Sequence, residues 1–261
     1  MSKYLKPGTI IILLLSVLLT AGAFAGMPLL RTWWTSVQPE AEEKPVRYGK
    51  READILKELI AVYRRIDTLS AVEMGGTMKT TDPSDPVNDI NTMFTYCKKG
   101  EQLYYRMGNN EMIQLKDVNI SVNRDVHKMF VMPPRKIITA PQLPVDSIIA
   151  LWEDDSYDIS TTAIDDQVTV TFLCERHVRC KELKITYNRV SHKMNSVYMR
   201  LTNLSDPLNK KLDRQMSVAF NKWEEAVADN KYFKLSDYVQ KGEEAWEPAG
   251  LYHQYKLISV Q

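Results

Sequence analysis

Acidic pairs, histidines and cysteines are the side chains of this 261-residue chain with the reactivity to do chemistry, and their spacing decides whether they can. Carboxylates cluster at Glu153-Asp154-Asp155 and at Asp165-Asp166. Two such groups converging on one bond can serve as general acid and base. Both clusters, however, fall in stretches that read as turns, where acidic side chains solvate the chain and bond to the local backbone. His127, His177, His192 and His253 are far apart and share no ligand spacing with Asp, Glu or Cys, so neither a metal nor a cofactor is expected. No GxSxG elbow, HExxH helix, GxxxxGK[ST] loop or GxGxxG turn occurs. The expectation is a protein without catalytic residues, not an enzyme.

The cysteines allow one more piece of chemistry. Cys97, Cys174 and Cys180 are too few for a disulfide framework and lack the paired CxxC spacing of structural zinc. In "CERHVRC", Cys174 and Cys180 flank a polar loop between two strand-like runs and could bridge a hairpin. The register that sets them face to face also sets Val170 against Lys184 and Phe172 against Glu182, apolar against charged. A one-residue bulge near the turn removes that conflict. The sequence is compatible with a disulfide and with two thiols.

Methionine carries the strongest hint of binding. Met74, Met78, Met93, Met107, Met112, Met129, Met132, Met194, Met199 and Met216 all fall in strand-like runs, beside Phe94, Tyr105, Phe130, Phe172 and Phe220. Methionine is flexible and polarizable, and lets a surface adapt to ligands of variable shape. Each could simply fill a core; together they predict an apolar groove on an incompletely covered sheet. Met74, Met78, Phe94, Tyr105, Phe130, Met132, Phe172, Met199 and Phe220 are the expected groove residues. A register error of one residue would turn any of them to the other face.

The elements that must position these residues follow from periodicity. "ADILKELIAVYRRIDTL" places Ile55, Leu56, Leu59, Ile60, Tyr63 and Ile66 at helical spacing. The period then changes to two, with strands read at 72–80, 90–98, 102–107, 111–116, 118–123 and 126–132 joined by short turn-rich connections. Pro133 and Pro134 stop the run, and "PVDSIIALWEDD" predicts a short helix with Ile148, Ile149 and Trp152 inward. Strands at 167–175, 181–188, 193–203 and 215–223 form a second meander, before a tail of polar loops and short apolar pieces. Hydrophobic residues make up 44% of the chain and charged residues 26%, as in an ordinary globular protein, with Lys plus Arg at 34 against Asp plus Glu at 33. Without a basic patch, no nucleic-acid partner is expected.

The N-terminus adds an address. Lys3 and Lys6 precede an uncharged stretch from Pro7 to Leu30, the pattern read by the export machinery. Ala23-Phe24-Ala25 suits cleavage near Ala25, while the length of the stretch and Arg31, Trp33 and Trp34 beyond it suit a retained membrane anchor with a cytoplasmic N-terminus. The sequence thus divides into residues 1–31 as signal peptide or transmembrane anchor, 32–50 as a flexible linker, and 51–261 as one β-rich domain.

Helix, meander, helical interruption and second meander resemble the periplasmic lipoprotein-carrier family, the LolA/LolB-like proteins. "ILKELIAVYRRIDTLSAVEMGGTMK" looks like that family's opening, "ELKITYNRVSHKMNSVYMRL" is similar to its later strand pair, and "KLSDYVQKGEEAWEPAGLYHQYKLIS" looks like endings of related envelope proteins. The resemblance implies an α+β, mostly β fold: a half-open antiparallel β-barrel with an N-terminal amphipathic helix and a short helical lid. It further implies a non-enzymatic periplasmic protein of a Gram-negative-type envelope that takes a lipid or acylated protein in a concave groove. The inner membrane is a further partner if the N-terminal helix is uncleaved. The alternative is a membrane-tethered interaction or scaffold module with a filled barrel and envelope protein partners.

Overall fold

The computed structural model describes residues 47–134, 145–226, 231–242 and 245–259. The expected signal or anchor at 1–31 and most of the linker lie outside the described residues. Among those described, no helix is long and apolar enough to cross a membrane.

The amphipathic stretch forms helix α1, Lys50–Thr68, with Glu52 in its first turn and Arg65 in its last, each sign suited to the helix dipole at that end. Its buried face is Leu56, Leu59, Ile60 and Val62. Helix α2, Val145–Asp154, buries Trp152 as expected. The first meander comprises β1 (Ala71–Thr81), β2 (Ile90–Lys99), β3 (Gln102–Met107), β4 (Asn110–Gln114), β5 (Asn119–Asn123) and β6 (Lys128–Met132). The second comprises β7 (Asp158–Ile164), β8 (Gln167–Leu173), β9 (Cys180–Asn188), β10 (Met194–Leu201) and β11 (Arg214–Glu225). A small ribbon, β12 (Val239–Lys241) with β13 (Trp246–Pro248), precedes β14 (Lys256–Ser259).

Both meanders join in one 12-stranded sheet of order β14-β6-β5-β4-β3-β2-β1-β11-β10-β9-β8-β7. The pairing is antiparallel except at β14, which runs parallel to β6. The sheet is open, with β14 and β7 as its edges, so it is not a closed barrel. β1 and β11 form the seam, where the register shifts between Gly75 and Gly76. A bulge of this kind bends its strand and increases its twist. Gly76 is fixed by space: a Cβ there would overlap the Ala219 carbonyl and crowd the Phe94 ring.

Four strands lie outside the sequence reading: β7, β14 and the short pair β12 and β13. β7 was not expected because "DISTTAI" is mostly exposed and offers only Ile159 as a large half-buried apolar residue. β14 lies in what reads as a polar tail; its pairing with β6 depends on a chain reversal that no local pattern encodes.

The two halves of the sheet are covered on opposite faces. The inner face carries Met74 on β1 and Phe172 on β8; over its β8–β11 half pack α1 and α2, burying Leu56, Leu59, Trp152, Phe172, Ile185 and Tyr187 in one cluster. On the outer face, the C-terminal segment covers the β2–β6 half, where Phe233, Tyr238, Val239 and Tyr252 pack on Cys97, Tyr104, Ile113 and Ile120. Tyr232 stacks on Tyr104 with ring centroids 4.1 Å apart. The Tyr252 hydroxyl donates to buried Glu111 at 2.9 Å, and Arg124 completes that carboxylate's ion pair.

Candidate functional site: the inner face of the first meander

Among the described residues, that cover leaves two half-faces, and they differ in chemistry. The outer face of the second meander is polar: Thr169 meets Thr186 hydroxyl to hydroxyl at 2.9 Å, and Arg200 bonds Glu175, Glu182 and Asp213. Such a surface is satisfied by water and ion pairs. The inner face of β2–β6 carries an apolar row between polar ones, and among the described residues the helix-covered cluster contains none from these strands.

Register shows how this face is built. Met74 on β1 pairs with Tyr96, Tyr96 with Tyr105, Tyr105 with Met112, Met112 with Ser121 and Ser121 with Phe130. Directly opposed residues share a face, so these form one transverse row. Across β2–β6 it runs about 20 Å at the usual strand spacing. Tyr96, Tyr105, Met112 and Phe130 are half-buried, as are Leu103 and Met132 in the neighbouring row. A polar pair lies on each side. Asn123 Nδ2 donates to Asn110 Oδ1 at 3.0 Å, and Asn119 Nδ2 donates to Gln114 Oε1 at 2.5 Å. Burial pushes the Tyr105 hydroxyl above its usual ionisation range, and its oxygen has no hydrogen-bond partner.

The expected groove residues all share this inner face, although they meet different surroundings. Met74 is buried on β1. Met78, Phe94 and Met199 close a middle cluster with Met107, Met216 and Val218. Phe172 lies under the helices, 4.9 Å from Trp152 between ring centroids. Phe220 spans the two clusters and meets Phe94 edge-on at 5.6 Å. Tyr105, Phe130 and Met132 are half-buried on the first-meander half, outside the helix-covered cluster. Sequence reasoning left out Tyr96, Leu103, Gln114 and Asn119. Tyr96 and Leu103 stand two residues from Phe94 and Tyr105, so the period of two held the signal; the amides held none, because polar residues on strands usually face water.

The sequence leaves Cys174 and Cys180 open between a disulfide and two thiols. No disulfide joins Cys174 and Cys180. The observed register sets Phe172 against Leu183, not Glu182, and the Cys174 N–H donates to the Lys181 carbonyl at 2.8 Å. Cys174 therefore packs with the helix-covered cluster, while Cys180 opposes Leu201 in the middle one. Burial pushes the Cys97 and Cys180 thiols up to about 11. Since the thiolate is the nucleophile, iodoacetamide at neutral pH is expected to modify half-buried Cys174 well before the other two, read by mass spectrometry of the native protein. A bridged pair would instead leave Cys174 unmodified until reduction.

The acidic clusters do not converge. Glu153 accepts from the Tyr48 N–H at 2.7 Å and pairs with Arg47. Asp155 lies 3.9 Å from His177, while Asp165 and Asp166 sit at the β7–β8 turn, the Asp166 carbonyl accepting from the Arg189 N–H. Among the described residues, no three of His, Cys, Asp and Glu are placed to hold a metal ion.

No family model and no curated protein matches the sequence. Solved structures of similar shape include an uncharacterized conserved protein from Thermus thermophilus, at TM-score 0.40 and 4% identity over 81% of this chain and 100% of that one. The Mycobacterium tuberculosis lipoprotein LppX gives TM-score 0.33 and 11% identity over 69% and 98%. A LolA superfamily protein from Nitrosomonas europaea gives 0.22 and 12% over 67% and 97%. The structural neighbours thus include a LolA superfamily protein.

Proposed function

We propose that the inner face of β2–β6 binds an acyl chain, and that the protein is a non-enzymatic carrier of a lipid or acylated protein in the cell envelope. One observation supports this above the rest: a row of half-buried aromatic and methionine side chains on a half-face that, among the described residues, lacks the helical cover its neighbour has. Contiguous apolar surface of this kind marks a binding site, and methionine lets it accept chains of variable shape. The export signal supplies the compartment.

The test is native mass spectrometry of the full chain, recovered without detergent, followed by solvent extraction. The expected result is a co-purifying acyl-bearing mass whose occupancy falls at least about tenfold in Phe130→Asp, since the ligand would then have to desolvate a charge. A protein that emerges without ligand and stays so when offered lipids would overturn the reading, and would favour an interaction module whose apolar face meets another protein.

A further inference from the structure

The apolar row is bordered by a buried amide whose orientation is dictated by the backbone. Gln114 Nε2 donates to the Leu115 carbonyl at 3.2 Å. A carbonyl can only accept, so this bond fixes the Gln114 amide, with its Oε1 toward Asn119. Asn119 must then present its NH2 group to that oxygen. Its own Oδ1 is left as an acceptor with no partner, on a side chain whose residue is only 5% exposed. Asn119 pairs with Met132 and Gln114 with Leu103, placing the amides beside Tyr105, Met112 and Phe130 on the same inner face. A buried acceptor without a donor is costly, and each such group in a folded protein calls for a specific explanation.

We infer that the ligand bound here carries an uncharged hydrogen-bond donor next to its acyl chain, an amide N–H or a hydroxyl, and presents it to Asn119 Oδ1. The inference rests on the acyl-binding reading above and adds the chemical class of the polar end. An ester lacks the donor. A carboxylate at neutral pH lacks it too, and would bring its own negative oxygens against the Asn119 oxygen. The ligands favoured are therefore N-acyl amides and acyl chains bearing a hydroxyl, and those disfavoured are free fatty-acid anions.

The experiment is displacement of a fluorescent acyl probe from the full chain by four compounds of equal chain length: dodecanamide, 1-dodecanol, methyl dodecanoate and dodecanoate. The amide or the alcohol is expected to bind about tenfold more tightly than the ester, with the anion weaker still; whichever of the two leads identifies the donor as N–H or O–H. In Asn119→Leu the advantage over the ester should vanish while ester binding persists, whereas Tyr105→Phe should retain it. An ester that binds wild type as tightly as the amide and alcohol would mean that water satisfies Asn119, and would overturn the inference while acyl binding stands. Loss of the preference in Tyr105→Phe and its survival in Asn119→Leu would also overturn it, by moving the donor to the tyrosine. Failure of all four compounds and of the probe would instead remove the carrier reading.

Discussion

Asp213→Leu is expected to lower the free energy of unfolding by about 3–5 kcal/mol, and the double variant Lys181→Met/Asp213→Leu to recover most of that loss in the same denaturant titration. Lys181 and Asp213 are each 1% exposed. The ammonium donates to both Asp213 oxygens, at 2.8 and 3.0 Å, and to the Pro207 carbonyl at 2.7 Å. Replacing the carboxylate leaves the lysine charge buried with a single carbonyl. Replacing both residues removes the charge with its partner, and the isolated-ion penalty disappears. Arg200 also touches Asp213, at 3.1 Å, but keeps Glu175 and Glu182 after the substitution. The pair ties the loop between β10 and β11 to the start of β9, where the β9–β10 register shifts. A single variant within about 1 kcal/mol of wild type would show that the carboxylate is not what holds this end of the sheet together, and a double variant no better than the single would show that the loss is not the penalty of an unpaired lysine.

The period-two patterns were strong enough to assign every strand of the first meander and all but β7 of the second and, through them, the shared face of Met74, Phe94, Tyr105, Phe130 and Phe172. Alternation within a strand is local, so it survives without knowledge of the partner. What covers each face is not local. Phe130 and Phe172 have the same side chain and the same facing, yet one lies half-buried and the other under α1 and α2, a difference made by chain segments distant in sequence. The register that would oppose Cys174 to Cys180, which sets apolar against charged residues, is not the one adopted. The pairing of β8 with β9 is set by Phe172 against Leu183 and Val170 against Ile185, and this moves Cys174 opposite Lys181. Asn119 was illegible as a site residue, because its unpartnered oxygen depends on a bond from Gln114 to the Leu115 carbonyl.

The second large effect separates these two phenylalanines. Phe172 is 1% exposed, 4.9 Å from Trp152 and edge-on to Tyr157 at 6.2 Å between ring centroids. Phe172→Ala removes that ring from a packed cluster whose neighbours collapse only partly, and is expected to cost about 3–5 kcal/mol of unfolding free energy. Phe130→Ala, on the half-face without helical cover, should cost about 1 kcal/mol. Ligand affinity per folded molecule should respond in the opposite order: Phe130→Ala weakens it, while Phe172→Ala leaves it near wild type. Measuring denaturation and probe binding on both variants thus maps where core ends and site begins. Equal stability losses would mean that the inner face is filled along its whole width. In that case the methionines and aromatics of the first meander would be packing residues like those of the second, and an acyl chain would have nowhere to lie.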